Sequence, residues 1–282
     1  MTVRELLFAV KALYREKGGE EFFSEKELLR AVFEKNGLDP ALPLTDPKKI
    51  VGEKTAETLL GDARRLSEGE PLQYYLGTAF FDGREFLCEE GVLIPREDTE
   101  ALVDEGEESL PENGLFFDFC CGSGCVGIAL LLRRRDAVCQ SFDLSEKALS
   151  LTEKNRARFG LEGRLTARKC DVFSPEAEEM LQKEKPRLVL ANPPYITDSE
   201  MLLLPENVRR EPEIALRGGA DGLDFYRRFL FLAKKTGIPF AFEIGKGQEK
   251  ILIPLAEKQG FFVSFRRDGR GIARVLKIEQ KK

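Results

Sequence analysis

The chain has 282 residues, 42% of them hydrophobic and 33% charged, with a formal net charge of −5. That is enough apolar content for a buried core and too much for a disordered chain, and the acidic balance argues against a protein held to nucleic acid mainly through phosphates. No histidine occurs, which removes the commonest general base and zinc ligand, and the six cysteines form no CxxC pair, so no metal is expected.

From Val3 to about Leu76 the apolar residues recur at helical spacing: Leu6, Leu7, Val10 and Leu13, then Leu28, Leu29, Val32 and Phe33. The N-terminal stretch carries charges within that pattern, so it reads as a helix face and not as a signal peptide. No stretch is long enough to span a membrane. Free thiols without a secretion signal point to a reducing cytoplasm. Ser24 with Glu27 reads as a capping box, Gly37 and Pro40 break the pattern, and Thr55 to Leu66 reads as a further helix. Residues 1–77 are expected to form a small helical domain without chemistry of its own. Asp82-Gly83 between short apolar runs is a hairpin signal, and Gly91 to Pro95 reads as a second extended piece. Residues 78–95 are therefore read as a strand pair linking to a second domain, residues 96–282.

From Leu115 onward short apolar runs alternate with helical stretches. The strand candidates are Leu115–Phe119, Ala137–Phe142, Leu165–Lys169, Leu188–Ala191, Pro239–Glu243, Phe261–Arg266 and Ala273–Ile278. Helical patterns such as Val126–Arg134 and Glu146–Phe159 separate the early ones, which implies a mainly parallel, doubly wound α/β sheet. The link Asp268–Gly271 is too short for a parallel crossover, so the last two strands should be antiparallel. Arg133-Arg134-Arg135 reads as a solvated helix end, where cations suit the helix dipole.

The first of these strands runs into Cys120-Cys121-Gly122-Ser123-Gly124, and a helix follows. Glycines there permit a tight turn and close approach to a ligand. Gly122, Gly124 and Gly127 also satisfy GxGxxG, which is weak by itself. The second strand ends at Asp143, where an acid can hydrogen-bond ribose hydroxyls, with Ser145 the better helix cap. A nicotinamide dinucleotide and S-adenosylmethionine both carry such a ribose, so Asp143 does not choose between them. After the third strand, Asp171 can accept from the exocyclic amine of adenine, with Val172 beside the ring.

The fourth strand ends directly in Asn192-Pro193-Pro194-Tyr195, the most specific signal in the chain. A planar amide or amino nitrogen is a poor nucleophile, whereas the methyl of a sulfonium is a strong electrophile, so the task is alignment. The side-chain oxygen of Asn192 can accept one N–H and the carbonyl of Pro193 the other, which orients the nitrogen and stabilises developing charge. The prolines stiffen the loop, Pro194 exposing no competing donor, and Tyr195 offers a flat face to the substrate group. These features read as a methyltransferase using S-adenosyl-L-methionine, on a Rossmann-like class I seven-stranded sheet whose last strand is antiparallel.

Further motifs appear in order: Pro71-Leu72-Gln73-Tyr74, Ile94-Pro95-Arg96 with Thr99-Glu100, Asn192-Pro193-Pro194-Tyr195-Ile196, Glu211-Pro212, Gly218-Gly219 with Asp221-Gly222-Leu223, Phe225-Tyr226-Arg227, and Glu243-Ile244-Gly245 with Gly247-Gln248. Together they resemble the PrmC/HemK family, the N5-glutamine methyltransferases of peptide chain release factors. The resemblance covers nearly the whole chain, the first seventy or so residues only as a helical domain. It implies methylation of the glutamine in the Gly-Gly-Gln loop of class 1 release factors, a helical domain that docks the factor, a cytoplasmic monomer, and no direct nucleic acid or membrane partner. It also implies cofactor contacts at Cys120, Cys121, Gly122, Ser123, Gly124, Asp143, Val172 and Asn192, and a grip on the glutamine by Asn192, Pro193, Pro194 and Tyr195. Arg96, Thr99 and Glu100 are read as bracing the loop, and Glu243 and Gln248 as structural. Two positions depart from the family. Cys120-Cys121 replaces the opening of its Gly-Thr-Gly, which should restrict the backbone and crowd the cofactor's amino-acid end. Glu97 stands where the family has proline, so that turn should be less rigid. The nearest alternative is an N6-adenine or N2-guanine methyltransferase of DNA or RNA, disfavoured by the acidic balance. A nicotinamide-dependent dehydrogenase leaves Asn192 to Tyr195 unexplained, and a non-enzymatic binding module predicts that Asn192→Ala is harmless.

Overall fold

The computed structural model describes residues 1–19 and 22–281. Glu20 and Glu21, within the expected helical domain, and Lys282, at the end of the expected second domain, lie outside the described residues. Contacts divide the chain into one unit of Met1–Gly77 with Pro205–Arg210 and another of Thr78–Leu204 with Glu211–Lys282.

The first unit is helical: α1 (Val3–Glu16), α2 (Glu25–Lys35), α3 (Leu42–Thr45), α4 (Glu53–Ser67) and α5 (Leu72–Leu76). Capping boxes at Thr2 with Glu5 and Ser24 with Glu27 start the first two helices. Val3, Leu6 and Val10 share one core with Leu28, Val32, Phe33, Leu59, Ala63 and Leu66. Asp62 accepts from Asn36 and from Tyr75, joining three elements with one carboxylate.

The second unit opens with a hairpin, β1 (Thr78–Phe81) and β2 (Arg84–Leu87). Asp82 and Gly83 have φ of 50° and 69°, the paired positive values of a type I′ turn. Gly91 to Pro95, expected to be extended and paired, joins no ladder. Its backbone is satisfied in another way, for the Ile94 N–H donates to the buried Glu211 carboxylate at 3.0 Å. The remaining elements are α6 (Glu100–Ser109), β3 (Leu115–Phe119), α7 (Cys125–Arg133), β4 (Val138–Asp143), α8 (Glu146–Arg158), β5 (Leu165–Lys169), α9 (Pro175–Glu184), β6 (Leu188–Ala191), α10 (Asp198–Met201), α11 (Glu206–Arg209, packed with the helical unit), α12 (Asp224–Thr236), β7 (Phe240–Glu243), α13 (Glu249–Lys258), β8 (Phe261–Arg267) and β9 (Ala273–Gln280).

Among the described residues seven strands form one sheet in the order β5-β4-β3-β6-β7-β9-β8. Only β9 runs antiparallel, paired with β7 on one side and β8 on the other. The order reverses between β3 and β6, which opens a crevice at their carboxyl ends. Alternation along the strands feeds two cores. Leu188 and Leu190 face α6 and α7, while Val189 and Ala191 face α9 and α12. Phenylalanine fills much of both. Phe142 packs 4.9 Å from Phe117 and 5.0 Å from Phe119, ring centre to ring centre, and each such burial is worth about 1.5–3 kcal/mol.

Register then sets the site. Phe119 lies opposite Phe142 and Ala191, and Ala191 opposite Phe242. The next residue on each strand, Cys120, Asp143, Asn192 and Glu243, therefore emerges at one level along the same edge. Of the arginine run, only Arg135 is an exposed helix-end cation; Arg133 and Arg134 are half-buried in a network. Arg133 pairs with Asp82, Asp104 and Glu107, and Arg134 donates to the carbonyls of Glu107, Leu110 and Pro111 as well as to Asp136. Four carboxylates and three open backbone acceptors around the end of α7 account for the difference.

Candidate active site

Above the crevice lies a cavity of about 270 Å³ walled by Cys120, Cys121, Gly122 and Ser123 from the glycine loop, Asp143 from β4, Asp171 and Val172 after β5, and Asn192 and Pro194 after β6. Val92, Ile94, Arg96, Ile214 and Phe225 also line it. Gly124, Pro193 and Tyr195 are not on the wall.

The glycine loop is shaped from behind. Cys121 N–H donates to the Phe142 carbonyl, Thr152 donates to the Gly122 carbonyl at 3.0 Å, and Asn155 donates to the Ser123 carbonyl at 2.9 Å. Asn155 also exchanges hydrogen bonds with both backbone groups of Leu87, so one fully buried amide joins α8, β2 and the loop. Gly124 caps α7 at φ 77°, where a Cβ would lie 2.8 Å from Thr152. A Cβ on Gly127 would lie 2.9 Å from Asp118, so the third glycine serves close helix–strand packing. Cys120 adopts φ 57°, a left-handed conformation that a residue with a Cβ holds only at a cost of about 1–2 kcal/mol. All six cysteines are free, and burial pushes the Cys125 thiol up to about 12. No group of side chains suited to a metal occurs among the described residues.

Asp143 accepts from Gly122 N–H and from Ser145 N–H, both at 2.9 Å, while Ser145 itself caps α8. Burial raises its proton affinity and these N–H donors oppose the rise. Two carboxylate oxygens offer four lone pairs, so these donors leave acceptor capacity on a residue that lines the cavity. Asp171 accepts from Phe173 N–H at 2.9 Å. Arg228 holds the same turn through the carbonyls of Val172 and Ser174, and Phe173 packs edge-on against Phe225 at 5.0 Å.

At the catalytic loop, Asn192 donates through Nδ2 to Thr99 Oγ1 at 3.2 Å. Asn192 Oδ1 and the Pro193 carbonyl accept no hydrogen bond among the described residues. Tyr195 packs its ring against the core, and its hydroxyl donates to Glu243 at 3.3 Å. Burial raises the Tyr195 hydroxyl far above its ordinary value. The ring is therefore a strut behind the loop and not a face on the cavity. Gln248 donates to the carbonyls of Tyr195 and Gly222 and accepts from Gly245 N–H. Gly222 is obligatory here, since at φ 72° a Cβ would lie 2.4 Å from the Tyr195 carbonyl oxygen. Ile196 exchanges backbone hydrogen bonds with Leu216 and Gly218, which fixes the chain as it leaves the loop.

The segment before α6 braces the site residue by residue. Glu211, 1% exposed at its side chain, accepts from Ile94 N–H and pairs with Arg96. Burial raises its proton affinity and Arg96 opposes the rise. Thr99 holds Asn192, and Glu100 accepts from Asp82 N–H in the hairpin turn at 2.8 Å. Thr152, Asn155 and Arg228 are contributors that the sequence reading did not single out, and Glu211, read there only as part of a motif, proves to be the partner of Arg96 and Ile94. Thr152 and Asn155, polar on the Ala148–Leu151 apolar face of α8, carried a signal of their own.

Residues 97–211 match the methyltransferase small domain. A release factor glutamine methyltransferase of Geobacter sulfurreducens is 34% identical over 98% of this chain and 95% of its own length. A ribosomal protein uL3 glutamine methyltransferase of Bordetella pertussis is 35% identical over 68% of this chain and 63% of its own. Among solved structures, the hMettl16 catalytic domain in complex with MAT2A 3′UTR hairpin 1 has a TM-score of 0.56 at 11% identity, over 84% of this chain and 85% of that one, a likeness of fold alone. Matches at 34% and 30% identity that run over 98% of this chain decide the family: the chain belongs to the release factor glutamine methyltransferases.

Proposed function

We propose that this protein transfers a methyl group from S-adenosyl-L-methionine to the side-chain amide nitrogen, N5, of the glutamine in the Gly-Gly-Gln motif of class 1 release factors. The observation that carries the reading is the pair of open acceptors at the carboxyl end of β6, Asn192 Oδ1 on a residue of the cavity wall and the Pro193 carbonyl of the next residue in the loop. A primary amide has two N–H groups and fits two acceptors. Held by both, its nitrogen turns its lone-pair face toward the methyl donor, and the acceptors answer the positive charge that develops on it.

The cavity suits the cofactor. Asp143 keeps free lone pairs for ribose hydroxyls, Asp171 with Val172 suits an adenine edge and face, and Cys120 to Gly124 supplies a turn for the amino-acid end. A Cβ at Gly122 would meet nothing nearer than Val92 at 3.9 Å, so the glycine leaves open space on the cavity side. Bound there, the sulfonium supplies an activated methyl group. The protein's part is to align the amide, exclude water with the apolar wall, and hold the loop still.

Identity to release factor enzymes extends over nearly the whole chain, whereas the match to the uL3 enzyme covers 68% of it, which favours release factors over uL3. The helical unit, Met1–Gly77, is read as the docking module for the factor. No helix among the described residues is long and apolar enough to cross a membrane, and the cytoplasm, where translation runs, is the assigned compartment. The test is mass spectrometry of purified release factor, uL3, tRNA and DNA after incubation with enzyme and labelled cofactor. One methyl on the Gly-Gly-Gln glutamine is expected. Label on uL3 or nucleic acid alone would overturn the assignment.

A further inference from the structure

The cavity wall carries two acids and one cation. Asp143 and Asp171 line it at the ends of β4 and β5, whereas Arg96 is the only lysine or arginine on the wall among the described residues. S-adenosylmethionine has one anionic group, the carboxylate at the end of its amino-acid chain. The two acids cannot hold it, because an ionised carboxylate only accepts hydrogen bonds. Left on an apolar wall without donors, it would lose its hydration and gain nothing in return.

Position agrees with charge. The strand order β5-β4-β3-β6 sets Asp171, Asp143, the glycine loop and Asn192 in a row along one edge of the sheet. With adenine at Asp171 and ribose at Asp143, the methyl group has to come to Asn192, so the amino-acid end belongs at the β3–β6 end of the row. Arg96 is tied to that end. Its carbonyl accepts from Thr99 N–H at 3.0 Å, and Thr99 Oγ1 accepts from Asn192 at 3.2 Å.

The guanidinium is also aimed before any ligand arrives. Glu211, 1% exposed at its side chain, accepts from Ile94 N–H on Oε2 at 3.0 Å and pairs with Arg96 through Oε1. That pairing engages Nη2 alone, and no other side-chain partner of Arg96 occurs among the described residues. The Arg96 side chain stays 42% exposed on the cavity wall. Bracing residues 91–96 would be complete with Glu211. The N–H groups left over keep the planar fork that matches a second carboxylate, with charge-assisted hydrogen bonds. A side chain fixed in advance loses little freedom when it binds.

We propose that Arg96, held by Glu211, is the residue that binds the carboxylate of S-adenosylmethionine. The inference rests on the reading of this cavity as the cofactor's and does not depend on which acceptor is methylated. The carboxylate takes no part in the transfer, so the contact is the same before and during the methyl step. Its loss should therefore appear in the cofactor KM and not in kcat.

The test is calorimetry on the full chain with two ligands and no acceptor. One is S-adenosylhomocysteine; the other is S-adenosyl-3-thiopropylamine, the same molecule without its carboxylate. The wild type should prefer the first by about 10–100-fold. Arg96→Met should lose most of that preference by weakening S-adenosylhomocysteine alone, and Arg96→Lys should keep part of it. Arg96→Met leaves the buried Glu211 carboxylate without its cation. The Arg96→Met/Glu211→Gln double variant removes that charge as well and serves if the single variant folds poorly. Equal weakening of both ligands, as a brace would give, overturns the inference. So does a preference that survives without Arg96, or a wild type that binds the two ligands equally. A wild type that binds neither ligand overturns the reading of the cavity itself, and the inference with it.

Discussion

The two loops that flank the cavity are each backed by a buried carboxylate, and the two loops are held in different ways. Asp118, two residues before the glycine loop, accepts from the Gly127 backbone N–H at 3.1 Å. Glu243, behind the loop that follows β6, accepts from the Tyr195 hydroxyl at 3.3 Å. A backbone N–H has one direction, whereas a hydroxyl can turn. The glycine half, held also by Thr152 and Asn155 on backbone carbonyls, is a cradle whose hydrogen-bond polarity is fixed by the fold. The loop after β6 is held instead by side-chain groups that can turn, the Asn192 amide on Thr99 and the Tyr195 hydroxyl on Glu243. A fixed cradle suits a ligand of constant shape, and groups that can turn suit an acceptor whose two N–H groups must be told from a lone pair.

The sharpest way to probe this division is to remove the Asn192 amide. Asn192→Ala should cost about 10²–10³-fold in turnover, with the thermal midpoint nearly unchanged, as read by steady-state methylation and calorimetry. Equal damage to turnover and stability would erase the distinction between the halves. The opposite pattern is expected at Asn155→Ala, which leaves the Leu87 N–H and the carbonyls of Leu87 and Ser123 unpaired in the interior. Urea unfolding should show a loss of about 2–3 kcal/mol, and S-adenosylhomocysteine should bind more weakly.

Asp118 offers a gentler test. Burial pushes its carboxyl up to about 7, with Gly127 N–H and the Ser141 hydroxyl opposing the rise and the nearby Asp143 adding to it. A carboxyl raised in the native state binds its proton more tightly there than in the unfolded chain. Its contribution to stability is therefore full in acid and is lost as pH rises through about 7. Asp118→Asn should remove that loss, gaining about 1–2 kcal/mol on the wild type at pH 8 compared with pH 5 in paired unfolding curves. The smallest effect belongs to Cys120→Gly, which relieves a left-handed backbone at φ 57°. A gain of about 0.5–1 kcal/mol in unfolding free energy is expected, and a loss would mean that the thiol contributes more than its backbone costs.

Much of the fold was legible because the strands are short, nearly uniform apolar runs. Leu188–Ala191 is buried at every position, and such a run bounded by polar residues reads as a central strand. The Asp82-Gly83 turn was legible because few residues tolerate paired positive φ. Gly91 to Pro95 misled for a physical reason. Apolar extended sequence looks the same whether its N–H groups meet a strand or, as at Ile94, a carboxylate 117 positions away in the chain. The same distance in sequence hid the partners of Glu211, and the Arg133 network depended on acids from the hairpin and α6. Strand ends announce which residues reach the edge of the sheet. They do not announce which side chain stands behind them, and so Asn192 could be singled out and Thr99 read as a brace, while the hold of Glu243 on Tyr195 could not be seen.

Pro205–Arg210 packs with the helical unit, although the chain on both sides of it belongs to the other. Arg210 donates to the Glu68 carbonyl, and a Cβ on Gly69 would lie 3.0 Å from Glu206. Neither unit is therefore a single stretch of gene. A truncation beginning at Thr78 would carry this segment along while discarding everything it packs against, and a fragment ending at Gly77 would lack one of its own pieces. Dissecting docking from chemistry in this protein calls for splicing Leu204 to Glu211 in the one fragment and grafting six residues back onto the other.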